Sequence, residues 1–182
     1  MKIKEQIHVL RTGEEIIIRE GSIADSEALL NTVREYVLTS RFLIVSPEDL
    51  EQTIADEARW IQRLRDNPNS LLLLALHHGY VIGNIDLTGS DELEVNPTGL
   101  ISMGILEAYQ NKGLGAILLK AVIGWAKKNH ELQVLCLQVV EANKYAVQLY
   151  KKLGFEIISQ QTNGFKDGKG NKSNNVIMTL NL

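Results

Sequence analysis

The chain has 182 residues, 45% of them hydrophobic and 23% charged, which is typical of a globular domain and excludes a disordered or fibrous protein. Its 19 basic and 22 acidic residues give a net charge of −3, which argues against a nucleic-acid partner. The single cysteine cannot form an internal disulfide, and no apolar run approaches the roughly 20 residues that span a bilayer. We therefore expect one cytoplasmic domain over residues 1–182, without a membrane partner.

The first half of the chain predicts a strand, two helices and a hairpin. The β-rich segment Glu15–Arg19 predicts the strand, and helical spacing of apolar residues begins at Ser22. A second helix is expected to begin at Ser46-Pro47-Glu48-Asp49, because serine caps a helix and proline suits its first position. The apolar runs Ser70–His77 and Tyr80–Leu87 flank a His-Gly pair, which indicates a tight hairpin turn.

The second half of the chain alternates between strand and helix patterns. The predicted elements are a strand at Leu100–Leu106, a helix at Leu114–Trp125, a strand at Leu132–Val140, a helix at Asn143–Leu153, and strands at Phe155–Ser159 and Val176–Leu180. Gly154 closes the second of these helices, and a polar loop over residues 160–175 joins the last two strands. The element order predicts an α/β protein with a mixed sheet between layers of helices.

The most informative segment is Gln110-Asn111-Lys112-Gly113-Leu114-Gly115, between a predicted strand and a long helix. A helix N-terminus presents unpaired N–H groups and partial positive charge to a phosphate, and glycine lets the phosphate approach the backbone. The alternative is a turn that only packs. The residues after the last glycine, Ala116 and Ile117, do not match a P-loop, and Leu118 replaces the third glycine of a dinucleotide-binding fingerprint.

Two motifs together resemble the GNAT family of acetyl-CoA-dependent N-acetyltransferases. The family's loop pattern Q/R-x-x-G-x-G/A is similar to the turn that begins at Gln110. Its second pattern, N-x-x-A-x-x-L-Y-x-K-x-G-F, is matched by Asn143, Ala146, Leu149, Tyr150, Lys152, Gly154 and Phe155. The element order also resembles that fold from Glu15 to Leu180, which implies a three-layer α/β/α architecture.

The resemblance implies roles for twelve residues. Acetyl-CoA would be bound by Met103, Gly104, Ile105, Gln110, Asn111, Lys112, Gly113, Leu114, Gly115, Ala116 and Asn143, with no metal ion. Tyr150 would protonate the departing thiolate, a step worth about 10²–10⁴-fold in rate. Tyr150 as a core residue and Asn143 as a simple helix cap are the structural alternatives.

The chain also departs from the family's pattern. Many relatives carry a glutamate on the central strand as general base, and Leu100 stands in that place here. Asp86, Glu94 or a water relay are the substitutes. In the C-terminal segment, asparagines at 174 and 175 stand where an aspartate is expected.

These observations predict an N-acetyltransferase in which an amine attacks the thioester directly. A silent acyl-CoA sensor of the same fold, or an interaction domain whose glycines only shape turns, are the alternatives. We expect the acceptor to be a small-molecule amine or a protein N-terminal amine. A homodimer remains an open option, because many members of the family dimerise.

Overall fold

A computed structural model describes residues 3–42, 51–90, 96–166 and 170–182. Its helices and strands are, in chain order, β1 (Gln6–Val9), β2 (Glu15–Glu20), α1 (Ser26–Thr39), α2 (Ile54–Asp66), β3 (Leu71–His77), β4 (Tyr80–Gly89), β5 (Thr98–Ile105), α3 (Leu114–Ala126), β6 (Val134–Val140), α4 (Lys144–Lys152), β7 (Glu156–Lys166) and β8 (Lys172–Asn181). Short 3₁₀ turns precede α1 and follow β5. In these ranges, no helix has the length and apolar character needed to cross a membrane.

The eight strands form one mixed sheet, in the order β1-β2-β3-β4-β5-β6-β8-β7. Among the strands that the structure describes, only β5 and β6 pair in parallel, because α3 carries the chain back between them, and the other neighbours pair antiparallel. The predicted hairpin is confirmed, with its turn formed by His78 at φ 50° and Gly79 at φ 83°.

Helices cover both faces of the sheet, which confirms the predicted three-layer α/β/α architecture. On one face, Leu29 of α1 and Ile61 of α2 pack against Leu74 of β3. On the other face, Leu118 of α3 packs into the larger core cluster together with Ile85 of β4. Because β4 lies at the centre of the sheet, nearly all of its residues are buried, including polar ones.

The second helix that the structure describes, α2, begins after a non-helical segment. Residues 51–53 are not helical, and α2 begins at Ile54 with Thr53 as its cap. The Thr53 hydroxyl accepts a hydrogen bond from the Asp56 amide at 3.2 Å, and the Asp56 carboxylate accepts one from the Thr53 amide at 2.9 Å. This reciprocal capping box fixes the helix start. The segment Ser46-Pro47-Glu48-Asp49 lies outside the described residues.

The sheet is more extensive than predicted at both edges. Strand β1 was not predicted, and the expected polar loop over residues 160–175 is mostly strand, because β7 continues to Lys166 and β8 begins at Lys172. Polar residues pair there directly, as Gln161 does with Asn175. Most of β7 is exposed, so it lacks the apolar alternation that reveals a half-buried strand.

Candidate functional site

The parallel strands β5 and β6 separate part-way along their length. Thr98–Ile101 pairs with Val134–Leu137, whereas the remainder of β5, to Ile105, pairs only with β4 among the described strands. Hydrogen-bonding groups of the β5 backbone therefore face an opening, which we call the cleft. An extended ligand could pair with this free edge as an added strand would.

Two cavities meet at the cleft. The first has a volume of about 470 Å³ and extends towards the N-terminus of α3, and the second has a volume of about 370 Å³. Tyr36, Met103, Gly104, Asn143 and Tyr150 line both cavities. A molecule bound in the first cavity would therefore reach groups that also face the second.

The turn before α3 is built to hold an anion. Asn111 and Gly113 have positive φ angles of 59° and 96°, and Gly113 is the N-cap of α3. Within the described chain, no hydrogen bond of normal geometry satisfies the backbone amides of residues 111–115. Successive free amides around left-handed residues form a concave nest for anions, which the helix dipole reinforces.

The β1–β2 turn contacts this nest and supports it. The Arg11 amide donates to the Lys112 carbonyl at 3.0 Å, and the Lys112 Nζ atom lies 2.6 Å from a Glu14 carboxylate oxygen. The hydrogen bond from Lys112 is the main reason that the pKa of Glu14 falls to about 2. The Lys112 side chain is therefore engaged by a partner outside the cavity.

The structure brings ten of the twelve residues predicted from sequence to the first cavity. These are Met103, Gly104, Ile105, Gln110, Asn111, Gly113, Gly115, Ala116, Asn143 and Tyr150. Lys112 and Leu114 do not line it: Lys112 pairs with Glu14, and the Leu114 side chain is 1% exposed in the core. At these two positions only the backbone amides remain available to a ligand in the nest.

Tyr150 combines a core ring with a free hydroxyl. The residue is 8% exposed, and its ring centroid lies 6.0 Å from that of Phe155. Its hydroxyl makes no hydrogen bond with any described residue, and burial raises its pKa to about 12, so the phenol keeps its proton at neutral pH. Asn143 caps α4, because its side-chain oxygen accepts a hydrogen bond from the Ala146 amide at 3.2 Å.

Asp86 is the carboxylate of the second cavity. It lies on β4 opposite Ser102 of β5 and is 8% exposed. Burial, and secondarily the negative charge of Glu57, raise its pKa to about 7. Leu100 lines the same cavity but has no group that accepts a proton. Glu94, the other carboxylate considered from sequence, lies outside the described residues.

Sequence reasoning did not place several polar residues at the cavities, among which are Arg11, Tyr36 and Asn175. Arg11 reaches the first cavity from the β1–β2 turn, Asn175 of β8 lines the second, and Tyr36 of α1 lines both. The Tyr36 hydroxyl donates a hydrogen bond to Asn84 at 3.1 Å. Helical spacing places Tyr36 on the buried face of α1, but no local pattern indicates which strand that face meets.

Comparison with protein families matches residues 32–155 to the model of the acetyltransferase (GNAT) family. The match includes β5, the nest, α3 and α4. The chain belongs to the GNAT acetyltransferase family. This finding confirms the resemblance that the two sequence motifs carry.

Individual GNAT proteins show the same similarity. An N-alpha-acetyltransferase of Sulfurisphaera tokodaii is 31% identical over 96 residues, which cover 50% of this chain and 57% of that protein. The chain thus matches little more than half of this curated relative. A GNAT acetyltransferase structure from Streptococcus pneumoniae superposes with a TM-score of 0.86 at 27% identity, covering 92% of this chain and 99% of that one.

The GNAT fold implies acetyl-CoA as the acyl donor, and the residues present fit it. The Salmonella typhimurium protein yncA, solved with its cofactor acetyl-CoA, superposes with a TM-score of 0.80 at 21% identity, over 92% of this chain and 94% of that one. In this chain the nest has free amides for a pyrophosphate, and a Cβ atom at Gly115 would come within 3.1 Å of Leu149 and 3.4 Å of Met103. Glycine at position 115 therefore lets the start of α3 pack closely against these side chains.

Proposed function

We propose that this protein transfers an acetyl group from acetyl-CoA to a primary amine. The observation that carries the proposal is the cleft, because it joins an anion-binding nest on one side to a buried carboxylate on the other. The proposal treats residues 1–182 as a single catalytic domain. It is supported by membership of the GNAT family and by the fit of the first cavity to the donor.

The first cavity would hold the donor along its whole length. The free amides of residues 111–115 would bind the pyrophosphate, and the Arg11 guanidinium would add a positive charge beside it. The free edge of β5 from Met103 to Ile105 would pair with the pantetheine arm, and Asn143 would hydrogen-bond the same arm. Gln110 contributes indirectly, since its side chain donates to the Ile105 carbonyl at 2.9 Å and ties the loop to the strand.

Asp86 would act as the general base for the amine. A lysine-like amine has an ordinary pKa of about 10.4 and must lose a proton before its nitrogen can attack a carbonyl. A carboxylate whose pKa is raised to about 7 can take that proton at neutral pH, because it is partly ionised and still basic. Its place in the second cavity, which meets the first at the cleft, supports this role.

Tyr150 would complete the chemistry as the general acid. When bound, acetyl-CoA supplies the acetyl group as a thioester, so that one C–N bond forms as one C–S bond breaks. The Tyr150 hydroxyl would give its proton to the departing sulfur, and Asp86 would take the first proton that the ammonium form of the amine loses. The second proton, released from the nitrogen as the amide forms, would return through water to the Tyr150 oxygen. Backbone N–H groups at the cleft would stabilise negative charge on the carbonyl oxygen.

The proposal is tested by binding and by turnover. Acetyl-CoA at about 100 times its Kd should add about 2.7 kcal/mol of apparent stability, which for a chain of this length raises Tm by about 5 °C or more. Release of CoA thiol should follow when a panel of primary amines is added. A chain that neither binds acetyl-CoA by calorimetry nor shifts in Tm contradicts the proposal, and binding without thiol release for any amine indicates a sensor.

A further inference from the structure

The second cavity contains a pair of side-chain amides whose hydrogen bonds are incomplete. Asn175 of β8 donates from Nδ2 to the Oε1 atom of Gln138 on β6 at 3.0 Å. The Asn175 Oδ1 atom is buried and accepts no hydrogen bond from any residue that the structure describes, and the residue as a whole is only 5% exposed. A buried carbonyl oxygen without a donor is costly, so it marks a place where a ligand N–H would be stabilising.

The charge of the same cavity restricts what can enter it. Among the lining residues that the structure describes, Asp86 is the one acidic residue, and none is lysine, arginine or histidine. A ligand carboxylate placed there would lose its water without gaining a cationic partner, and it would face the negative charge of Asp86 once that group is ionised. Burial of an unpaired charge is strongly unfavourable.

We propose that the second cavity selects primary amines that carry a further N–H donor and no carboxylate. The amine would lie at Asp86, and the additional N–H would donate to the Asn175 Oδ1 atom. Amides of amino acids and diamines both have this chemistry, whereas free amino acids lack it. The inference rests on the proposed acetyl transfer, and it names the class of acceptor for that reaction.

Matched substrate pairs test the selectivity directly. L-phenylalaninamide is compared with L-phenylalanine, and 1,4-diaminobutane with 4-aminobutanoate, each by CoA thiol release in the presence of acetyl-CoA. In at least one pair, the member without a carboxylate should have the higher kcat/KM by about 100-fold or more. The pair that is turned over also distinguishes an amino-amide acceptor from a diamine acceptor.

Variants at position 175 test the role of the amide oxygen. Asn175→Leu removes the acceptor atom and should raise KM for the preferred amine about tenfold or more, while the Kd of acetyl-CoA measured by calorimetry stays unchanged. Asn175→Asp keeps an acceptor oxygen and adds negative charge. It should therefore keep the KM for the preferred amine near that of the wild type and increase the discrimination against the carboxylate analogue of that amine. Asn181→Leu is the control, because Asn181 is exposed on the same strand about 20 Å away.

The outcomes separate this inference from the proposed function. Equal or better turnover of the carboxylate members, or an unchanged amine KM in Asn175→Leu, overturns the inference while acetyl transfer stands. Binding of acetyl-CoA without turnover of any of the four amines also overturns it. Failure of acetyl-CoA to bind removes the proposed function, and the inference with it.

Discussion

The ring of Tyr36 on α1 lies directly against the backbone of Gly104 on β5. A Cβ atom at position 104 would overlap the ring. The Tyr36 hydroxyl donates a hydrogen bond to Asn84, which fixes the ring at the junction of the two cavities. Burial is the main reason that the pKa of this hydroxyl is raised. This contact requires glycine in the part of β5 whose free edge faces the cleft.

Gly104→Ala should displace the Tyr36 ring and widen or distort the cleft. The added methyl group has no room, and overpacking of this kind costs about 1–3 kcal/mol. We expect a lower Tm together with a weaker affinity for acetyl-CoA. Tyr36→Ala in the same protein should restore part of the affinity by making space for the methyl group. If Gly104→Ala alone changes neither Tm nor the affinity for acetyl-CoA, the close contact between Tyr36 and Gly104 is not required.

Arg11→Gln should weaken the binding of acetyl-CoA. A charge-assisted hydrogen bond contributes about 1.5–3 kcal/mol, so removal of the guanidinium should raise Kd by about 10–100-fold, with little change in Tm of the free protein. Calorimetry with CoA and with 3′-dephospho-CoA identifies the phosphate concerned. If Arg11 binds the 3′-phosphate, the variant and the wild type should bind 3′-dephospho-CoA equally well.

The control for this prediction is Arg63→Gln. Arg63 is exposed on α2 and lines neither cavity, so the substitution changes the net charge by the same amount without touching the nest. An equal loss of affinity in both variants would indicate a general electrostatic effect and remove Arg11 from the site. Raising the salt concentration should weaken binding more in the wild type than in Arg11→Gln, because only the wild type has this charge pair.

Sequence predicts those parts of the molecule that are specified by local patterns. The helical spacing of Leu114, Leu118 and Val122 gives α3, and the glycines before it give the nest. Strand β1 has only four residues, and the edge strand β7 is largely exposed and lacks a sustained alternation of apolar and polar residues, so local patterns do not reveal either strand. Arg11 and Asn175 come to the cavities through strand pairing between distant segments, which no local spacing reveals.

The pKa of Asp86 gives two expectations for pH. The folded protein keeps the Asp86 proton up to about pH 7, whereas the unfolded chain releases it near 3.8, so this stability is complete below about pH 4 and is lost as the pH rises to about 7. Asp86→Asn should remove that loss, and its Tm relative to wild type should increase across this window.

If Asp86 is the base, wild-type kcat/KM rises with pH through about 7, and the variant loses this rise together with about 10²–10⁴-fold in rate.

Glu57→Gln is the matched control for Asp86. Glu57 is also buried, and burial raises its pKa to about 7, but it lines neither cavity. The substitution should change the pH dependence of Tm in the same direction. It should also shift the rise in kcat/KM to lower pH, because it removes a negative charge that raises the pKa of Asp86, while the plateau rate is kept. Equal rate losses in both variants would contradict a specific role for Asp86.

Tyr150→Phe separates a general acid from a core residue. The ring and its packing are kept, and the hydroxyl that is removed has no hydrogen bond to a described residue, so Tm should change little. A CoA thiol has a pKa near that of cysteine, about 8.5, and leaves without much help, so kcat should fall by about 10²-fold, at the low end for acid catalysis. The Kd of acetyl-CoA should stay unchanged, because the proton is needed only as charge develops on sulfur.

Single-turnover rates measure the chemical step, with Tyr80→Phe as the control, since Tyr80 is 77% exposed and lines neither cavity. A wild-type rate in Tyr150→Phe would leave Tyr150 as a packing residue and assign the proton to water.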